Sequence, residues 1–158
     1  MMQQPMSPNQ YADYWYYTAG VNVIPANNAH EDKDLRKKPF WTNSEGKQVW
    51  ISWSKEGYQT ESITEEQFQY WKACDAFRNG MAIICGKVFR GEHKGEWLNG
   101  IDCDNKAGTE AMNPSGIEVT AKRTLVEQHA NPDKCHILFY TREPLKSRGY
   151  AADSEKQI

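Results

Sequence analysis

Short apolar runs separated by polar, glycine-rich segments dominate the pattern along the chain. Runs of this length and composition are typical of β-strands. They predict strands at VNVIPA, MAIIC, WLNGIDCD, TLVEQH (124–129) and CHILFY (135–140). Because the segment ANPDK between the last two runs is rich in turn-forming residues, we expect these two strands to form an antiparallel hairpin.

The N-terminal segment PNQYADYWYYTAG predicts a helix. Ser7 is a typical N-cap, Pro8 is typical of the first helical residue, and Gly20 is a typical stop. After the strand that follows, residues 26–49 are polar and rich in charge, which predicts a long irregular connection.

The clearest helix of the sequence begins after Thr64. Thr64 and Gln67 have the spacing of a capping box, and Ile63 precedes it as a hydrophobic staple for Phe68. The helix is predicted to end at Asn79-Gly80. At least two helices beside several strands that are close in sequence indicate an α+β layered domain.

Length, charge and composition narrow the class of protein. The 158 residues suffice for a single domain over residues 1–158, with 39 % hydrophobic and 25 % charged residues and a net charge of −2. No apolar run approaches the roughly 18 residues of a membrane span, and the polar start lacks a signal-peptide core. We therefore expect a cytoplasmic protein without membrane contact. A net charge near zero is still compatible with a local basic groove that binds nucleic acid.

The cysteines at positions 74, 85, 103 and 135 form no C-x-x-C pair. This spacing argues against a structural zinc site. Three of the four lie in apolar runs, which predicts reduced and buried thiols.

The stretch GIDCDNK contains the first candidate chemistry. On a strand, Asp102 and Asp104 would share one face, roughly 6.6 Å apart. Such a pair offers hard oxygen ligands to Mg²⁺ or Mn²⁺, and two such ions about 3.5–4 Å apart act in displacement at phosphorus. Short Asp pairs also occur as solvated strand ends. The predicted burial of this strand favours a functional role, because idle carboxylates are costly in a buried place.

Three other features are ambiguous on their own. His136, at the start of its strand, is either a satisfied polar residue or a group that faces the two acids. Arg36-Lys37-Lys38 is either a solvated charge run or a basic contact for nucleic acid. Trp41, Trp50 and Trp53 either stack on bases or belong to the core.

Taken in order, these segments resemble the N-terminal primase–polymerase (Prim-Pol) domain of the archaeo-eukaryotic primase superfamily, from about Tyr11 to about Tyr150. The corresponding segments are YWYYTAGVNVIPA, Lys37-Lys38-Pro39, ITEEQFQYWKACDAF, NGMAIICG, NGIDCDN and TLVEQHANPDKCHILFY. The order and spacing of six elements are more specific than any one motif. The resemblance implies a core sheet of the RNA-recognition-motif type.

The resemblance also implies roles for individual residues. Asp102 and Asp104 match the acids that bind the catalytic metal ions, and His136 matches the histidine that contacts the phosphates of the incoming nucleotide. Lys134 stands where the family usually has a small residue, and it could assist in neutralising triphosphate charge. Lys37 and Lys38 would contact DNA.

The implied function is template-directed nucleotidyl transfer with Mg²⁺ or Mn²⁺, on a DNA template and primer, with nucleoside triphosphates and a helicase domain or partner. The family's third motif, a hydrophobic residue and an acid on a later strand, has only a formal match at Ala152-Asp153, so we expect it beyond Ile158. Two alternatives stay open. One is a degenerate domain that only binds DNA or replication partners, and the other is a metal-dependent nuclease or glycosyltransferase.

Overall fold

The computed structural model describes residues 5–36 and 38–147. Within them the chain is a mixed α+β protein with small antiparallel sheets. The elements are α1 (Pro8–Asp13), a π-helical turn (Tyr14–Thr18), β1 (Val23–Pro25), β2 (Phe40–Thr42), β3 (Gln48–Trp50), α2 (Glu65–Ala73), β4 (Met81–Ile83), β5 (Gly86–Lys87), β6 (Trp97–Cys103), α3 (Lys106–Met112), α4 (Ile117–Ala121), β7 (Leu125–Gln128) and β8 (Cys135–Thr141). The chain divides into two compact units, one up to Trp97 and one from Leu98.

The first helix begins as the sequence predicts. Ser7 is its N-cap, and the Ser7 Oγ accepts a hydrogen bond from the backbone N–H of Gln10. The Gln10 side chain accepts in return from the backbone N–H of Ser7, which completes a capping box. The helix continues through the π-helical turn and stops before Gly20, whose φ is +78°.

The second helix begins at the predicted position but ends earlier than predicted. Thr64 caps it, since its Oγ1 accepts from the backbone N–H of Gln67 at 3.2 Å. The prediction that the helix ends at Asn79-Gly80 is wrong, because α2 ends at Ala73. The backbone of Asp75 has a φ of +52°, which is incompatible with a right-handed helix, and turns follow it.

The core of the first unit forms between these two helices. The rings of Tyr16 and Phe68 stack at 4.0 Å with only 5° between their planes. The Tyr16 hydroxyl donates to the carbonyl of Ile63 at 2.8 Å, so this buried polar group has a partner. The predicted strands VNVIPA and MAIIC are present as β1 and β4, which pair antiparallel with Val23 opposite Ile83.

The predicted irregular connection over residues 26–49 is partly wrong, because it contains most of a hairpin. Strand β2 pairs antiparallel with β3, with Phe40 opposite Trp50. The turn between them is closed by Asn43, whose Oδ1 accepts from the backbone N–H groups of Glu45 and Lys47. An asparagine that can form such an Asx turn is a local sequence signal for a turn. The prediction missed it because it relied on the charge-rich composition of the whole segment.

The second unit contains β6, β8 and β7, which lie side by side in that order. The predicted hairpin is confirmed: β7 and β8 pair antiparallel, with Leu125 opposite Leu138 and Gln128 opposite Cys135. Helix α3 follows β6, and Asn105 caps it. Helix α4 was not predicted. In the ranges 5–36 and 38–147, no helix has both the length and the apolar character needed to cross a membrane.

Candidate active site

The first half of the candidate site lies at the end of β6. Cys103 is buried, whereas the side chains of Asp102 and Asp104 on either side of it are 60 % and 75 % exposed. Strand alternation therefore places the two carboxylates on one face, as expected. The prediction that this strand is buried holds for one face only, because the face that carries the acids is open to water.

The second half lies at the start of β8 and repeats the same alternation. Cys135 is fully buried, and Lys134 and His136 flank it. The Lys134 Nζ lies 3.3 Å from the Asp104 Oδ1, and the His136 Nε2 lies 3.3 Å from the Asp102 Oδ1. Because β8 is the neighbour of β6, the structure brings together all four of these residues predicted from the sequence.

Two further side chains at this site were not identified from the sequence. Glu127 is the register partner of His136, and its Oε2 lies 2.9 Å from the His136 Nδ1. His129 lies in contact with the same imidazole, with ring centroids 4.5 Å apart and nearly perpendicular planes. The pairing of the predicted hairpin across ANPDK is the signal from which Glu127 could have been found.

The His136 imidazole lies between two carboxylates. Its Nδ1 faces Glu127 and its Nε2 faces Asp102. The Nδ1 shares a hydrogen bond with Glu127, and the Nε2 lies 3.3 Å from the Asp102 Oδ1. These two contacts hold the imidazole in a fixed orientation, with 35 % of its side chain still exposed.

The layer beneath the charged side chains is apolar. Cys103, Cys135 and Ile137 form a buried cluster, with Ile101 and Val126 packed against it. Burial, with the neighbouring Cys135 thiol as the next cause, raises the pKa of Cys103 to about 11. The Cys103 thiol is therefore neutral near pH 7 and contributes packing rather than nucleophilic chemistry.

The donor set at this face suits a hard divalent cation only in part. Asp102 and Asp104 supply carboxylate oxygens of the kind that Mg²⁺ and Mn²⁺ prefer, and their exposure leaves room for water as a further ligand. Over the residues that the structure describes, no cluster of three or more His, Cys, Asp or Glu side chains is arranged to hold a metal ion. Ala152-Asp153, the formal match to the third motif, lies outside the described residues.

The predicted DNA contacts lie in the first unit. Lys38 is exposed just before β2, and its backbone N–H donates to the carbonyl of Leu35. Lys37 lies outside the described residues. Exposure leaves the Lys38 ammonium accessible to a phosphate, although a solvated charge run has the same appearance.

Comparison of the chain with protein-family models, with curated proteins and with solved structures finds no match. Assignment to the primase–polymerase family therefore stays a proposal, which depends on the order of the sequence motifs and on the geometry at the ends of β6 and β8.

Proposed function

We propose that the chain carries the nucleotidyl-transfer site of a DNA primase or DNA polymerase of the Prim-Pol type, built on an RNA-recognition-motif-like sheet and active on replicating DNA in the cytoplasm. One observation carries the proposal. The acids of one sequence motif and the Lys-x-His of another, which are far apart in sequence, meet on one exposed face of neighbouring strands.

In the proposed reaction, a primer 3′-hydroxyl attacks the α-phosphate of a nucleoside triphosphate, and the bond to pyrophosphate breaks. Asp102 and Asp104 are the residues that would hold Mg²⁺ or Mn²⁺. When bound, such ions activate the hydroxyl and neutralise charge on the leaving group.

Lys134 and His136 would bind the triphosphate. Both side chains are more than one third exposed, so their terminal nitrogens can reach a ligand in front of the strands. Phosphate oxygens accept strong, charge-assisted hydrogen bonds from such groups. Glu127 would keep the His136 ring oriented through its bond to the Nδ1. We also propose that Lys38, with Lys37, contacts the DNA template and that a helicase domain or partner acts with this domain.

A second candidate is a domain that has kept DNA or partner binding and lost catalysis. It is favoured by a specific observation: each acid already has a basic neighbour, and the described residues bring no third metal ligand to the pair. In this case the Lys134–Asp104 and His136–Asp102 pairs would serve to hold β8 against β6.

Primer extension on a short DNA template, with Mg²⁺ or Mn²⁺ and each nucleotide, tests the proposal. We expect incorporation that Asp102→Asn or Asp104→Asn abolishes, while Asp34→Asn, a change at an exposed acid of the first unit, leaves it unchanged. Incorporation that survives Asn at both positions would contradict the proposed site. Binding of DNA without incorporation under any metal, in this chain and in one extended past Ile158, would favour the second candidate.

A further inference from the structure

A pocket of about 360 Å³ lies in the first unit, between the β2–β3 hairpin and α2. Its volume falls within the range of small-molecule sites, roughly 300–1,000 Å³. Trp41 and Trp50 of the hairpin line one side, and Gln67, Tyr70 and Trp71 of the helix line the other. None of these residues belongs to the candidate active site.

The walls of the pocket are aromatic and held in place by packing. Trp41 and Trp71 are 95 % buried and are part of the core. Trp50 and Tyr70 are about half exposed, so their rings border both the pocket and the solvent. Tyr70 meets Trp41 edge to face at 6.4 Å, and Trp50 packs on the ring of Phe40 at 4.7 Å. A planar ligand would thus meet rings that are already positioned.

Polar groups in the pocket offer both donors and acceptors. The side-chain amide of Gln67 makes no hydrogen bond with the rest of the described chain, and Glu56 and Ser52 add a carboxylate and a hydroxyl. A ligand with ring nitrogens, carbonyl oxygens or amino groups could complement such groups.

We propose that this pocket binds one nucleobase, held by stacking on Trp50 and Tyr70 and by hydrogen bonds to the polar lining. An aliphatic ligand would leave Gln67 and Glu56 without partners, which costs affinity. A simple ammonium ion would be attracted to the aromatic faces and to the Glu56 carboxylate. It would, however, fill only part of the pocket, and it could not both donate to and accept from the Gln67 amide. A heteroaromatic ring uses all three kinds of group.

The surroundings of the pocket suit the rest of a nucleotide. The Arg78 Nη2 donates to the carbonyl of Thr42, which stands between the pocket-lining residues Trp41 and Asn43. Its guanidinium is exposed on the surface and can pair with a phosphate. The base would then enter the pocket while its phosphate stays in solvent beside Arg78. The inference that this base belongs to a DNA strand rests on the proposed function. The inference that the pocket stacks a base does not depend on that function.

Binding of a labelled single-stranded DNA about ten nucleotides long, measured by fluorescence anisotropy in EDTA, tests the pocket. An oligomer of equal length without bases serves as the comparison. We expect Trp50→Ala and Tyr70→Ala each to weaken binding of the base-containing strand by about 5- to 150-fold, the range that loss of one stacked base gives. Tyr11→Ala, at an exposed helical tyrosine that does not line the pocket, should leave binding unchanged.

Equal binding of the strand without bases, or binding that neither pocket variant changes, would overturn the proposal. Competition by nucleoside monophosphates would support the pocket and identify a free nucleotide as its ligand, whereas binding of the strand without such competition would identify DNA. Because binding is measured in EDTA, it does not depend on the metals that nucleotidyl transfer needs. If base-dependent binding is intact but primer extension fails, the result contradicts the proposed function and leaves the pocket proposal standing.

Discussion

The His136 Nε2 lies 3.3 Å from the Asp102 Oδ1, and this contact joins the two sequence motifs of the candidate site. The two residues are on neighbouring strands, and each is next to a buried cysteine. The apolar layer of Cys103 and Cys135 thus fixes which face of each strand the charged groups occupy. Burial on one face therefore determines the chemistry on the other.

Asp102→Asn and Asp104→Asn should each weaken Mn²⁺ binding. Each change removes a charged oxygen ligand. Mutating a residue that only hydrogen-bonds to a metal ligand already lowers metal affinity by about tenfold, so we expect a larger loss of Mn²⁺ affinity here. Isothermal titration with Mn²⁺ measures it. Asp34→Asn is the matched control, because it removes another exposed carboxylate from a different part of the chain. Unchanged affinity in both site variants would place the metal elsewhere.

Lys134→Ala should weaken the binding of a nucleoside triphosphate by about tenfold, the equivalent of one charge-assisted hydrogen bond. A fluorescent triphosphate analogue provides the readout. Lys122→Ala, at an exposed lysine of the same unit, controls for loss of general positive charge. If both lysine variants lose affinity equally, the effect is long-range electrostatics and Lys134 makes no specific contact.

The arrangement of this site could largely be predicted from the sequence because it depends on alternation. Asp102 and Asp104 share a face, as do Lys134 and His136, wherever the strands are, and the ANPDK turn sets the hairpin register. Glu127 was missed because its role depends on the cross-strand partner, which the alternation of a single strand does not show.

Other features depend on tertiary context and were not predicted. Helix α2 ends early, and Asp75 just after it has a positive φ. No glycine or proline at this point of the sequence signals the end of the helix. The aromatic pocket combines residues of the β2–β3 hairpin with residues of α2, and the sequence left open whether Trp41 and Trp50 belong to the core or stack on bases. In the structure Trp41 is core and Trp50 is half exposed.

Gly20→Ala should destabilise the first unit much more than Gly46→Ala does. Both glycines have φ near +78°, so either alanine costs about 1–2 kcal/mol in backbone conformation. A Cβ at Gly20 would in addition overlap the backbone carbonyl of Arg90, whereas a Cβ at Gly46 meets nothing within 4 Å. Urea denaturation of the two variants gives the difference in the free energy of unfolding. Equal losses would mean that the contact between Gly20 and Arg90 relaxes without cost.

The stability of the second unit should fall as the pH rises from about 9 to about 11, in part because of Cys103. Burial raises the pKa of this thiol from its ordinary value of 9.0 to about 11 in the folded protein. The folded state then keeps the proton after the unfolded state has lost it. The contribution to stability is therefore complete below the pKa of the unfolded thiol and is lost as the pH passes through the folded value.

Urea denaturation of the wild type and Cys103→Ala at about pH 8 and about pH 10 measures this contribution. Most other thiols, tyrosines and lysines are common to both proteins, so the difference between the two pH dependences reports Cys103 and its contact with the Cys135 thiol. We expect the wild type to lose more of its free energy of unfolding than Cys103→Ala over this interval. Parallel losses would show that the thiol ionises as readily when folded as when unfolded. In that case water reaches the layer beneath Asp102 and Asp104, and burial of Cys103 cannot be what holds the two carboxylates on the outer face.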